Sequence, residues 1–203
     1  MMTNFFHNKG STKRFEKALN LTTQLHAEQT RKNSTVPYLA HLLSVSALVI
    51  EDGGDENEAI AALLHDAVED QGGLSILEEI RAIFGDSVAD IVLGCTDAVT
   101  KTKPPWRARK EAYLRHLETA PDTVIRVSLA DKLHNARSIL VDLRYGNDDI
   151  WQSFNGGKDG TLWYYHSLAE IFQVRTDSPM SHELMLTVDE IDNIAIDRSR
   201  ELE

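Results

Sequence analysis

In "AIAALLHDAVEDQGG" (residues 59–73) an apolar run gives way to His65, Asp66, Glu69 and Asp70. A helix that only packs has no reason to end on an imidazole and three acids. Neighbours on a helix point about 100° apart, so His65 and Asp66 can share one ion only from the flank between them. Other helices must then complete its coordination. His41 lies mid-helix among apolar neighbours in "YLAHLLSVSAL", and Asp131 interrupts apolar "VIRVSLA" before "DKLHNARSIL". A carboxylate in such a run is costly to bury unless it is paired or binds a metal. His41, His65, Asp66 and Asp131 offer two nitrogens and two oxygens, a set that suits Mn²⁺, Fe²⁺ or Zn²⁺ without choosing among them. Each histidine alone also reads as a satisfied core residue; only the combination directs the reading to a metal.

Glu69 and Asp70 follow His65 and Asp66 by four residues each, one helical turn along nearly the same flank. Acids there are placed to orient or deprotonate a water at the ion. As a solvated helix end they would instead oppose the C-terminal dipole.

The elements that must position these groups are helical throughout. Phe15, Ala18, Leu19, Thr22 and Leu25 recur at helix spacing over residues 12–30. "VPYLAHLLSVSALVIEDGG" opens near a proline and stops on Gly53-Gly54. Asp55 with Glu58 predicts a capping box, starting a helix that ends near Asp70 before Gly72-Gly73. Ser75 with Glu78 predicts a second box ahead of "ILEEIRAIF". Further helices are expected in "DSVADIVLGCTDAV", in "PPWRARKEAYLRHLETA", from Pro121 through "SILVDL", in "TLWYYHSLAEIF" and in "SHELMLTVDEIDNIAIDRS". Only Val124–Val127 could compete as a strand. The fold class is therefore all-α.

The chain has 203 residues, of which 42% are hydrophobic and 26% charged, as expected of one folded domain with a substantial core. A net charge of −11 argues against general nucleic-acid binding, which needs an electropositive face. No run approaches the roughly 18–20 apolar residues of a membrane span, and the N-terminal residues lack a signal peptide's apolar core. The single cysteine, Cys95, rules out an internal disulfide and reads as core. The cytoplasm is the expected location. No phosphate loop or nucleophile elbow is present.

The ordered set "HAEQTRK", "PYLAHLLSV", "AALLHDAVED", "FGDSVADIV" and "VSLADKLHNARSIL" resembles the HD-domain hydrolases of the RelA/SpoT type. It is most similar to their small single-domain members, the small alarmone hydrolases. The resemblance covers about residues 15–140, with residues 141–203 adding C-terminal helices to one HD-type domain over 1–203. It implies an HD-domain helical bundle with one divalent ion, usually Mn²⁺, that removes the 3′-pyrophosphate of guanosine alarmones (p)ppGpp. By motif, the metal ligands would be His41, His65, Asp66 and Asp131, while Glu69 and Asp70 would position and activate the attacking water. Arg31 and Lys32 would flank the guanine, Asn135 would touch the ribose, and Arg137 matches the motif's arginine.

Leu42 stands where the family has a proline, and Gln71 where it has a threonine. The chain stops at Glu203, so hydrolysis without a synthetase is expected. Two other readings are an HD phosphohydrolase acting on a 3′-diphosphorylated adenosine or the 2′-phosphate of NADPH, and a metal-bearing nucleotide sensor without turnover. Intact Glu69 and Asp70 weigh against the sensor. "KTKPPWRARK" (101–110) reads either as a basic lid over phosphates or as a solvated loop with Trp106 and Tyr113 packed inward. "WYYHSL" reads as core, with Tyr164 a nucleotide-pocket candidate. The stripe Leu184, Val188, Ile191 and Ile194 packs on the domain or forms a homo-oligomer contact.

Overall fold

The fold comes from a computed structural model, which describes residues 11–32, 34–98 and 104–201. Lys101, Thr102 and Lys103 of the expected basic loop lie outside the described residues. Among the described residues the regular elements are helices, joined by one isolated antiparallel bridge between Thr30 and Pro37. None of these helices is long and apolar enough to cross a membrane. Two compact units form, one from residues up to Lys103 with Ala120–Ala130, the other from Pro104–Thr119 and Asp131 onward.

The first unit holds α1 (Ser11–Leu25), α2 (Leu39–Glu51), α3 (Glu56–Leu64), α4 (Leu74–Phe84) and α5 (Asp86–Cys95). Helix α3 is its axis. Ala59 through Leu64 are all fully buried, because this helix is apolar all round and needs neighbours on every side. Helices α1, α2 and α5 supply them. Hydroxyls then tie those neighbours to α3: Thr22 Oγ1 donates to Leu63 O at 3.1 Å and Ser46 Oγ to Ala59 O at 2.9 Å.

The Asp55–Glu58 capping box forms as its spacing predicts. Glu58 N donates to Asp55 Oδ1 at 2.9 Å, and Asp55 N to Glu58 Oε2 at 2.8 Å. The other Glu58 oxygen accepts from Arg126 Nη1, while Arg126 Nε donates to Asp52 Oδ2 at 3.1 Å. Burial works against the Arg126 charge, but Glu58 and then Asp52 outweigh it and raise this guanidinium above its usual range. Glu58→Ala removes both the cap partner and one buried counter-charge. We expect a loss of about 2–3 kcal/mol in urea denaturation, less than the ~3–5 of a fully buried pair, because Arg126 is partly exposed and keeps Asp52.

Four local expectations are corrected. The second capping box does not form: Gly73, at φ 64°, precedes α4, and Ser75 Oγ donates back to Gly72 O at 2.8 Å. A left-handed glycine can turn the chain there, so no Ser cap is needed. The helix expected to reach Asp70 instead leaves α-geometry after Leu64 and closes as a π-helical turn over Val68–Gly72. In addition, α1 stops at Leu25 rather than near residue 30. Cys95 is half-buried, with Ser128 Oγ at 3.6 Å from its sulfur, rather than full core.

Helix α7 (Asp122–Arg144) contributes to both units and absorbs Val124–Val127 as helix, so the strand alternative falls. The second unit adds α6 (Trp106–Leu117), α8 (Gly157–Arg175) and α9 (Pro179–Glu201). Its core includes Tyr164, Tyr165, Leu168 and Phe172 of α8 with Leu184, Val188 and Ile191 of α9, three of the four stripe residues read from the sequence, while the fourth, Ile194, is half-buried. Trp106 packs inward, so close to Gly156 that a Cβ there would lie 2.5 Å from the indole.

Candidate functional site

His41 enters the first unit from α2, and His65 and Asp66 follow the end of α3. Both imidazoles are buried, at 0% and 2% exposure, while Asp66 is half-buried. One ligand atom from each lies within 4.8 Å of the others. Asp66 Oδ2 is 3.1 Å from His65 Nε2 and 3.7 Å from His41 Nε2, and the two rings meet at 68°.

Backbone geometry fixes the chemistry of His65. Its Nδ1 lies 2.8 Å from Ala62 O. A carbonyl only accepts, so Nδ1 carries a proton, and Nε2 faces the Asp66 carboxylate. Two acceptors this close call for a cation between them, either a ring proton or a metal ion. A histidine that gives its outer N–H to a carbonyl and turns the other nitrogen inward is the usual arrangement of a metal ligand. The donor set therefore fits a divalent ion.

Tyr38 was not singled out from the sequence, yet it braces this centre. Its hydroxyl donates to Asp66 Oδ2 at 2.6 Å. The ring stacks on His26 at 5.6 Å and meets His41 edge-on at 5.4 Å. The available signal was its position three residues before His41, on one helical face. Tyr38→Phe keeps the ring contacts and removes only the hydroxyl. We expect the fold intact by circular dichroism and Mn²⁺ affinity about 10–100-fold weaker by calorimetry, the usual cost of losing an outer-shell partner.

A tight loop carries the cations. Arg31 N donates to Val36 O at 2.9 Å and Tyr38 N to Gln29 O at 2.8 Å, closing a hairpin around the Thr30–Pro37 bridge. The loop sets the Arg31 guanidinium 5.7 Å from the Tyr38 ring centroid, whereas Lys32 is exposed.

Glu69 and Asp70 sit on the π turn, half-buried and exposed respectively. One α-type bond survives beneath them, from Asp70 N to Asp66 O at 3.0 Å, so Asp70 still stands one turn above Asp66. Gly73 N then reaches back five residues to Val68 O at 3.0 Å, widening the turn. Such π turns recur at functional sites. Asp70 Oδ2 accepts from Gln29 Nε2 at 2.8 Å.

The remaining expected residues belong to the second unit. Asp131, buried on α7, accepts from Asn135 Nδ2 at 2.6 Å and from Lys132 Nζ at 2.5 Å. Burial pushes the Lys132 ammonium down, but Asp131, then Tyr164 and Tyr113, outweigh it and hold it well above its usual range. Arg137 Nε donates to Glu183 Oε1 of α9 at 2.8 Å.

Buried imidazoles and a carboxylate presented by helices, with two acids on the following turn, define an all-helical protein with a His–Asp metal-type centre. The chain belongs to the HD-domain family, whose sequence pattern matches residues 18–162. It is 38% identical over 125 residues to the Xenopus tropicalis guanosine-3′,5′-bis(diphosphate) 3′-pyrophosphohydrolase MESH1, covering 60% of this chain and 67% of that protein. A probable enzyme of the same name from Synechocystis is 41% identical over 118 residues, 57% of this chain and 15% of its own length. The solved structure of a metazoan ortholog of SpoT, described as hydrolysing ppGpp, superposes with a TM-score of 0.69 at 27% identity. The match covers 88% of this chain and 93% of that one.

Proposed function

We propose that this chain is a divalent-metal-dependent hydrolase that removes the 3′-pyrophosphate of (p)ppGpp, with Mn²⁺ as its ion and the cytoplasmic nucleotide pool as its substrate source. The carrying observation is the convergence of His41, His65 and Asp66 one turn below the acid pair. The similarity to MESH1 and to the SpoT ortholog supports the substrate.

His41, His65 and Asp66 would hold the ion, with Asp131 proposed as the fourth ligand from its motif. When bound, the ion supplies Lewis-acid polarisation of the scissile phosphate and a lower pKa for its water. The chain's own residues do the rest. Tyr38 locks Asp66 in place, and Ala62 O fixes the His65 tautomer. Glu69 and Asp70 orient the attacking water and take its proton as its oxygen bonds to phosphorus. The P–O3′ bond then breaks, pyrophosphate departs, and the ribose 3′-oxygen leaves as a hydroxyl, taking the proton that the acid pair removed from the water. Arg31, already against an aromatic ring, has the planar cation that stacks on a purine. Lys32 adds positive charge for a polyanion in a chain of net charge −11. Asn135 and Arg137 complete the proposed substrate contacts.

Purified protein incubated with Mn²⁺ and a nucleotide panel tests the reading. Pyrophosphate release from ppGpp is expected. Turnover confined to 3′-diphosphorylated adenosine or NADPH would reassign the substrate, and tight binding without product would make the chain a sensor.

A further inference from the structure

Gln29 and Gln71 form an unusual amide pair beside the acids. Gln29 Nε2 donates to Asp70 Oδ2 at 2.8 Å. Because an ionised carboxylate only accepts, this bond fixes which end of the amide faces Asp70. The other end, Oε1, accepts from Gln71 Nε2 at 2.7 Å and lies 2.6 Å from His26 Nδ1. His26 is buried at 2% exposure and stacked on Tyr38, so it is a rigid donor. The π turn makes the arrangement possible: consecutive residues, Asp70 and Gln71, meet opposite ends of one side chain.

We propose that Gln29 is a positioning residue for Asp70, and that Gln71 acts through Gln29 as the second tether of its amide. The inference rests on the reading that Asp70 serves the attacking water. A free glutamine samples many rotamers; with Oε1 gripped by two donors, Nε2 can point only at Asp70. The carboxylate is thereby oriented through its Oδ2. Gln71 thus has a defined task in this chain.

Gln29→Glu is the sharpest probe, since it keeps shape and both acceptor contacts but cannot donate to Asp70. We expect kcat to fall about 10–100-fold, the usual cost of a misaligned catalytic group, with KM and bound Mn²⁺ within about twofold of wild type. Gln71→Ala should cost less, about threefold, because His26 still grips Oε1. In the Gln29→Ala background, Gln71→Ala should cost nothing more, as expected for residues acting in series. Wild-type kcat in Gln29→Glu, a rise in KM alone, or multiplying effects in the double variant would each overturn the proposal.

Side-chain amide exchange, followed by NMR on the metal-free full-length chain, requires no substrate. The Gln29 NH₂ signals should be slow to exchange in wild type and fast in both Gln71→Ala and Asp70→Asn. Unchanged exchange in either variant would also overturn the proposal. If wild type failed to turn over ppGpp while this exchange pattern held, only the substrate assignment would fall.

Discussion

His65→Ala should strip the protein of its proposed divalent ion and of turnover together. The imidazole is buried, its Nδ1 is committed to Ala62 O, and its Nε2 faces Asp66 Oδ2 at 3.1 Å. No rearrangement of a methyl group can replace that lone pair. Losing a ligand should cost more than the ~10–100-fold in affinity that an outer partner costs, so bound Mn²⁺ after dialysis should drop to background by elemental analysis. Turnover should fall by at least ~10³-fold with it. The cavity left by one buried side chain destabilises the apoprotein by about 2–4 kcal/mol, and circular dichroism must show that it still folds. A folded His65→Ala protein with full metal content and full activity would dissolve the proposed centre. Asp131→Ala applies the same measurement to the residue proposed as fourth ligand from its motif, with the same expected loss of metal.

Asp70→Asn and Glu69→Gln should do the opposite: keep the ion and lose the chemistry. Both acids stand on the π turn beyond His65 and Asp66, and the three candidate ligands brought together by the fold are His41, His65 and Asp66. Removing a general base typically costs about 10²–10⁴-fold in rate. The expected signature is wild-type Mn²⁺ stoichiometry, KM for ppGpp within a few-fold, and kcat reduced by that factor in at least one variant. Asp70→Asn is expected to be the more severe, because its carboxylate is the one held by Gln29. Loss of metal in these variants would make the acids ligands. Full activity in both would remove them from the mechanism.

The contrast between these two experiments follows the way sequence and structure divide this protein. Helix boundaries were legible where side chains satisfy backbone groups within four residues. The Asp55–Glu58 box is the clearest case, since both of its bonds depend only on local spacing. The apolar stripe of α9 was equally plain, because burial on one face imposes its own period. Ser75 and Glu78 carried the same capping letters and yet did not cap. Gly73 turned the chain first, and a positive φ is not written in a Ser-x-x-Glu pattern. The π turn was likewise invisible: the composition of "VEDQG" is that of any helix end, and the widening depends on which long-range bonds Asp70 and Gln71 find.

Residue types alone determined the all-helical class, the wish of two imidazoles and a carboxylate for a cation, and the pairing of acids one turn further on. These follow from periodicity and from the cost of burying charge, both of which are local or compositional. Tertiary structure alone decided that Tyr38 braces Asp66, that Arg126 closes a triad with Glu58 and Asp52, and that His26 and Gln71 grip the Gln29 amide that donates to Asp70. Apart from His26–Gln29, which lies within one loop, each of those contacts joins residues far apart in the chain. A hydrogen bond at 2.6–2.9 Å is set by where two backbones come to lie, and no reading of one strip of chain contains the position of another.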